Sequence, residues 1–139
     1  MSSDVPQSFY RISIKGLVLD EIRSKFLLVQ EEDGRWEIPG GGLDHGEGHR
    51  ECLRREIKEE MGIEVTFIAD RPSFFLTFPS VTMPGKWVAN VLYEIRLAHL
   101  NFTPSEECVA LRFFTPEEAL TLNAFPSVPA LAKVFSPHS

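Results

Sequence analysis

The sequence predicts a layered α/β domain, and three observations predict it. Short β-branched and aromatic runs stand both before and after one long, highly charged run of helical length. Two further helix signals lie near the C-terminal end. No internal repeat, low-complexity tract or second composition interrupts the 139 residues. Strands on both sides of a helix, with terminal helices left for the opposite face, bury their apolar positions best as helix layers around a sheet. The length suits one domain, 1–139, with enough core to need no disulfide or metal staple.

Each element follows from its own residues. Met1 to Gln7 reads as a loose terminus. Phe9 to Leu19 alternates in part and then turns wholly apolar, as a strand entering a core does. Asp20 to Ser24 is a polar turn. Lys25 to Gln30 is a second short strand, closed by the acidic turn Glu31 to Gly34. Trp36 and Ile38 flank Glu37 in a brief extended segment that ends at Pro39. The charged run Glu47 to Met61 is the long helix, and Gly62 stands where a helix ends. Glu64 to Ala69 is rich in β-branched and aromatic residues, which favours a strand. Asp70 to Gly85 holds Pro72, Pro79 and Pro84 among several Phe, an extended segment broken by a loop. Lys86 to Leu97 is a long strand, and Glu107 to Phe114 another. Thr115-Pro116-Glu117-Glu118 supplies an N-cap, a first-position proline and a capping-box glutamate for a helix reaching about Leu122. Ser127 to Phe135 has the apolar spacing of a last short helix.

Composition narrows the function classes. With 43% hydrophobic and 24% charged residues the chain is ordinary for a soluble globular protein. A net charge of −6 opposes general affinity for nucleic acid or anionic membrane, since both reward basic patches. Any contact with phosphate then needs a cation. Cys52 and Cys108 have no metal-type spacing and read as reduced core thiols. The N-terminus shows no signal-peptide pattern and no run reaches membrane-spanning length, so a cytoplasmic location is expected.

The stretch from Pro39 to Ile63 organises the rest. Gly40, Gly41 and Gly42 allow a close backbone approach that a Cβ would block. On the helix that follows, Glu56, Glu59 and Glu60 fall within roughly a 100° arc, because positions three and four apart are surface neighbours. Leu53, Ile57 and Met61 fill the adjoining arc, the side buried on a core. Like charges at these spacings repel by about 0.2–0.5 kcal/mol per pair. An acidic, solvated helix face is the plain reading of such a cluster. Oxygen ligands gathered without His or Cys instead suit a hard cation such as Mg²⁺ or Mn²⁺, which also binds substrate phosphates.

Gly41, Glu47 and Arg55-Glu56-Ile57-Lys58-Glu59-Glu60-Met61-Gly62-Ile63 together resemble the Nudix box, G-x5-E-x7-R-E-U-x-E-E-x-G-U, with U a bulky aliphatic. Every fixed position is met. Asp44 stands where Glu is usual and Cys52 where a small residue is common. The resemblance to the MutT-like Nudix hydrolases implies an α/β/α sandwich with a mixed sheet and a loop–helix–loop catalytic motif. It implies a metal-dependent hydrolase that cleaves a pyrophosphate bond in a nucleoside diphosphate linked to another moiety. It also implies metal ligands at Glu56, Glu59, Glu60 and the carbonyl of Gly40, holding Mg²⁺ or Mn²⁺. Catalytic candidates are Glu56, Glu60 and Glu107, with Glu106 the neighbour and rival of Glu107. Either Glu56 or the downstream glutamate is the base. Gly41, Glu47 and Arg55 are supporting residues. With Glu51, Glu47 and Arg55 form a stripe away from the metal arc, so that Arg55 orients the loop–helix junction through Glu47.

Other residues carry less. His45 and His49 flank the helix start and read as surface residues, while His99 and His138 carry no argument. Most aromatic residues are core, but Phe74, Phe75, Phe78 or Trp87 offers a base-stacking surface beside the proline-rich loop. Pro79 stands where one ADP-ribose pyrophosphatase subclass carries a proline, a lean toward a nucleotide sugar. The alternatives are a house-cleaning nucleoside triphosphate pyrophosphohydrolase, or a non-catalytic nucleotide-sensing module, which would usually lack part of the glutamate cluster. The expected partner is a small nucleotide, not nucleic acid or membrane, for a monomer or homodimer.

Overall fold

The computed structural model describes residues 9–137. The N-terminal segment through Gln7 and His138 lie outside the described residues. The elements run β1 (Tyr10–Leu17), β2 (Phe26–Gln30), β3 (Trp36–Glu37), β4 (Gly40–Gly42), α1 (His49–Met61), β5 (Val65–Ile68), β6 (Phe74–Pro79), β7 (Trp87–Leu97), β8 (Ala110–Phe114), α2 (Pro116–Ala119) and α3 (Ser127–Val134). The strands divide into a five-stranded mixed sheet, β4-β1-β7-β5 with β6 also on β7, and a three-stranded antiparallel sheet, β3-β2-β8. The parallel pair is β1 with β7, in register from Tyr10 opposite Trp87 to Leu17 opposite Glu94.

Alternation along the strands builds two cores, one on each face. Leu27 and Val29 enter the core under α1, with Ile14, Leu53, Ile57 and Met61. Phe26 and Leu28 enter the other, with Leu17, Leu92, Val128 and Leu131 under α2 and α3. All four of these β2 residues are buried, because a strand covered on both faces reads as a continuous apolar run. The α/β/α sandwich expected from the sequence is therefore the architecture observed.

Three boundaries that bear on the site differ from the sequence reading. Helix α1 starts at His49 with Gly48 as N-cap, two residues after Glu47, because Gly46 takes a φ of 85° and keeps the chain in a turn. Helix α2 stops at Ala119, since the chain leaves it through turn bonds from Leu120, Thr121 and Leu122. Its capping box forms as expected, between Thr115 and Glu118. Glu107 and Cys108 precede β8 in a turn closed by two backbone bonds between Ser105 and Cys108, at 3.0 and 3.1 Å. Asp70 to Gly85 resolves into β6 followed by a loop.

One face of the main sheet is left partly uncovered. Cross-strand neighbours point to the same side, so Arg11, Val88 and Phe78 form one row, and Ser13, Asn90 and Leu76 the next. Lys15, Leu92 and Phe74 follow. Helix α3 packs over the Leu92 end of this face. The Arg11 end stays open beyond the start of α3.

Candidate active site

Strand β4 sets the geometry. Its register on β1 is Gly42 opposite Ser13, Gly41 opposite Ile14 and Gly40 opposite Lys15. Gly41 therefore faces α1, and Gly40 and Gly42 face the other side. A Cβ on Gly41 would overlap the Glu56 carboxylate, so the missing side chain is what lets that carboxylate lie on the strand. A Cβ on Gly42 would overlap the Arg11 guanidinium. Both faces of the glycine strand are thus closely approached by a charged side chain.

On the helix, Glu60 is buried at 5% exposure, and its Oε1 accepts from the Gly40 N–H at 3.3 Å. Burial pushes its carboxyl well above the usual range, opposed by the positive charge of Lys15 and by the Gly40 bond. Lys15 itself is buried, donating from Nζ to the carbonyls of Ile38 at 3.2 Å and Gly40 at 3.3 Å. Its Nζ also lies 3.9 Å from Glu37 Oε2. Glu56 is half-buried and Glu59 exposed on the same helix.

Arg55 ties the supporting residues to the acidic arc. Its Nε and Nη2 donate to Glu47 at 2.7 and 2.8 Å, and its Nη2 also to the Gly42 carbonyl at 3.1 Å. Its Nη1 donates to Glu56 at 2.9 Å and to Glu59 at 3.3 Å. The expected role in orienting the loop–helix junction through Glu47 has this geometry. The expected separation of Arg55 from the metal arc does not hold, because a long guanidinium reaches its i+1 and i+4 neighbours while gripping the preceding loop. Glu51 is exposed on the first turn.

Glu47 is correspondingly acidic. Hydrogen bonds from Arg55 lower its carboxyl from the usual 4.5 to about 2, and bonding with Glu47 in turn holds Arg55 above its ordinary value. A depressed acid contributes stability above its unfolded value and loses it as pH falls through the folded one. The melting-temperature difference between wild type and Glu47→Gln is expected to be largest near neutral pH. It should close as pH drops from about 4.5 to about 2. A difference independent of pH in thermal melts would contradict the pairing.

The downstream glutamates are placed by the C-terminal end of α1. Thr103 N–H donates to the Met61 carbonyl at 2.9 Å and Ser105 Oγ to the Glu60 carbonyl at 2.8 Å. That fixes the turn carrying Glu106 and Glu107, both exposed. The Glu107 charge acts on Glu60 and helps raise its carboxyl. Glu106 instead lends its backbone carbonyl to Glu32 N–H at 2.9 Å.

Several remaining expectations find their places. Cys52 and Cys108 are free and fully buried, and burial pushes their thiols up to about 11 and about 12. His49 is not a simple surface residue: its ring stacks on Tyr93 at 4.4 Å and 11°. His45 is exposed in the loop. Of the four aromatic candidates, Phe78 lines a cleft of about 190 Å³ at the open end of the sheet face. Phe74 packs into the α3-side core, while Phe75 and Trp87 lie on the opposite face. The cleft is also lined by Arg11, Ser13, Glu37, Asn90 and Phe125. Sequence reading missed Arg11, Lys15, Glu37 and Asn90. The available signal was a charged or amide residue inside an otherwise apolar strand.

The donor chemistry suits a divalent cation, although among the described residues no three His, Cys, Asp or Glu side chains converge as a ready-made cage. Glu56, Glu59, Glu60 and the Gly40 carbonyl are all hard oxygen donors, appropriate to Mg²⁺ or Mn²⁺. Glu60 is a buried carboxylate that gains from a nearby cation, and the Arg55 guanidinium already bridges the other two. The residues fit the group.

The NUDIX domain family matches residues 10–135, and the chain belongs to the Nudix family of pyrophosphohydrolases. It is 30% identical over 96 residues to nucleoside triphosphatase NudI of Enterobacter sp. (strain 638), covering 65% of this chain and 68% of the relative. It is 33% identical over 116 residues to the asymmetrical bis(5'-nucleosyl)-tetraphosphatase of Mus musculus, covering 81% and 78%. An ADP-ribose pyrophosphatase structure from Streptococcus suis 89-1591 superposes with a TM-score of 0.65 at 29% identity, covering 90% and 86%. Against others of its curated relatives the chain spans about half the length, 52%. No helix among the described residues is long and apolar enough to cross a membrane.

Proposed function

We propose that the chain hydrolyses the pyrophosphate bond of a nucleoside diphosphate linked to another moiety, a nucleotide sugar being the preferred class, with Mg²⁺ or Mn²⁺ bound. The observation that carries this reading is the meeting of Arg55, Glu47, Glu56 and Glu59 on the glycine strand that also caps Glu60. Glu56, Glu59, Glu60 and the Gly40 carbonyl would hold the ion. When bound, it neutralises phosphate oxygens and lowers the pKa of water.

The protein's own residues supply position and proton transfer. Arg55 fixes the Glu56 and Glu59 carboxylates against the loop, which limits the reorganisation needed at the moment of reaction. Gly41 lets Glu56 lie on the strand. Water attacks one phosphorus, its proton passes to Glu56 or Glu107, and the bridging oxygen leaves with the other phosphate. We infer a single domain acting on a small nucleotide in the cytoplasm, as a monomer or homodimer.

Pro79 gives the nucleotide-sugar reading no support from within the cleft. It ends β6 opposite Trp87, in the row that faces the α1 side. That reading leans instead on the 29% identity to the ADP-ribose pyrophosphatase. A second reading, nucleoside triphosphate pyrophosphohydrolase, is favoured by the resemblance to NudI. A panel of nucleotide sugars, dinucleotides and nucleoside triphosphates, assayed with each metal, separates them by product. Two phosphomonoesters identify the first and pyrophosphate the second. Release of neither from any substrate would reject both.

A further inference from the structure

The α1 side of the main sheet stays apolar well beyond the helix that covers it. Ile14 is buried in the core under α1, and Phe75 lies in the same cross-strand row. Ile12, Ala89 and Thr77 form the next row, and Tyr10, Trp87 and Pro79 the last. Past the helix the surface opens: Phe75 is 68% exposed, Tyr10 48%, Trp87 43% and Ile12 42%. None of these positions carries a charged or amide side chain. The opposite side of the same strands carries Arg11, Ser13, Lys15 and Asn90. A solvated strand face ordinarily turns polar side chains outward, and a contiguous apolar patch of a few hundred Å² marks a contact surface.

We propose that two copies of the chain pack against each other through this face, making the protein a homodimer. The face carries a projection and a recess side by side. Ala89, small and buried, lies in a hollow of about 350 Å³ lined also by Tyr10, Ile12, Phe75 and Thr77. Phe75 is the most exposed large apolar residue among those described. A two-fold axis sets residue i of one copy against j of the other, and j against i. Each Phe75 ring can then fill the Ala89 hollow of the other copy. A fully exposed aromatic side chain presents about 150–250 Å². At the exposures above, with Thr77 and Pro79 added, each copy offers roughly 500 Å² and the pair roughly 1,000 Å². That reaches the total of about 1,000 Å² that a specific interface needs. Tyr10 and Trp87, with ring centroids 6.4 Å apart, supply the aromatic anchors that dominate such contacts.

A second copy fits this face better than the other occupants. Residues 1–8 offer only Met1, Val5 and Pro6 as apolar side chains, too few to cover four exposed large ones. An anionic membrane is opposed by the net charge of −6. The same charge makes two copies repel at long range, and salt screens that repulsion while leaving the apolar contact intact. The dimer should therefore tighten as ionic strength rises. The proposal does not rest on the hydrolase reading, and either can fail without the other.

Sedimentation equilibrium of the full chain, without nucleotide, tests this. At about 10–100 μM the wild type should show twice the mass of the chain, with dissociation falling as NaCl is added. Phe75→Glu and Ile12→Glu each put a carboxylate into the contact and should weaken association about tenfold or more. Leu120→Glu, similarly exposed but just after α2, should leave it unchanged. Circular dichroism establishes that each variant is folded. If neither face variant folds, the wild type still decides. Of the two Trp, Trp36 is buried and Trp87 exposed in the single copy, so acrylamide quenching of tryptophan fluorescence should fall as protein concentration rises. A wild type that stays monomeric at about 100 μM, with quenching independent of concentration, would overturn the proposal. So would a dimer undiminished by folded Ile12→Glu, the result expected of pairing along the edge of β6, which β7 separates from the strand of Ile12.

Discussion

Glu60→Gln is expected to lower turnover by about 10²–10³ at saturating Mg²⁺, the usual loss when one preorganised electrostatic contact is removed. The substitution keeps volume and one oxygen ligand while deleting the charge. Glu60 is the most deeply set of the three box carboxylates, held from one side by the Gly40 N–H and overlooked by Lys15. A carboxylate fixed in this way cannot be replaced by a neighbouring side chain swinging in. The metal-free protein should respond in the opposite sense. Burial disfavours the ionised carboxylate, and the neutral amide avoids that cost, so the variant should melt no lower than wild type. Turnover within twofold of wild type would remove Glu60 from the metal site.

Gly40→Ala is the second large effect, and it falls on folding. Gly40 has a φ of 121°, a region L side chains rarely enter. A Cβ there would stand 2.8 Å from Lys15 Cα and overlap the Ile14 carbonyl oxygen, both main chain of the neighbouring strand. Backbone strain of about 1–3 kcal/mol and overpacking of about 1–3 kcal/mol give a loss of roughly 2–6 kcal/mol. Denaturant unfolding measures it directly. A loss below about 1 kcal/mol would show that β4 can shift off β1. Gly41→Ala makes a useful contrast. There the colliding atoms belong to the end of the Glu56 side chain, which can move, so activity should suffer more than stability.

The helix and its carboxylate arc were legible in the sequence because helical spacing alone fixes which residues share a face. Glu56, Glu59 and Glu60 needed no tertiary information, and neither did the capping box at Thr115. The start of α1 was misplaced because Glu47 has helix-like chemistry, while the turn at Gly46 depends on a backbone angle that composition does not show. The role of Arg55 was half legible. The box pattern implies its link to Glu47, but residues eight apart on one helix lie about 12 Å apart, so the bond depends on the turn at Gly46 that keeps Glu47 outside the helix and within reach of Arg55.

Of the cleft, the sequence offered only Phe78 beside the proline-rich loop. Alternation places Arg11, Ser13 and Lys15 on one side of β1, but not what covers that side. That depends on β1 pairing in parallel with β7, and on α3 beginning only at Ser127. Asn90 is placed in the cleft only by its cross-strand register with Ser13 and Leu76. Glu107 was misread as a strand residue, yet its turn is pinned to the end of α1 by Thr103 and Ser105. Long-range contacts of this kind leave no local pattern.

On the proposed reading, Glu56, Glu59 and Glu60 hold a divalent cation. Mn²⁺ binding, followed by electron paramagnetic resonance on wild type and Glu60→Gln, tests it most directly. Wild type should bind Mn²⁺ saturably, and the variant should bind it about tenfold or more weakly, as expected for removing a charged partner. Equal affinity in the two proteins would contradict the metal site.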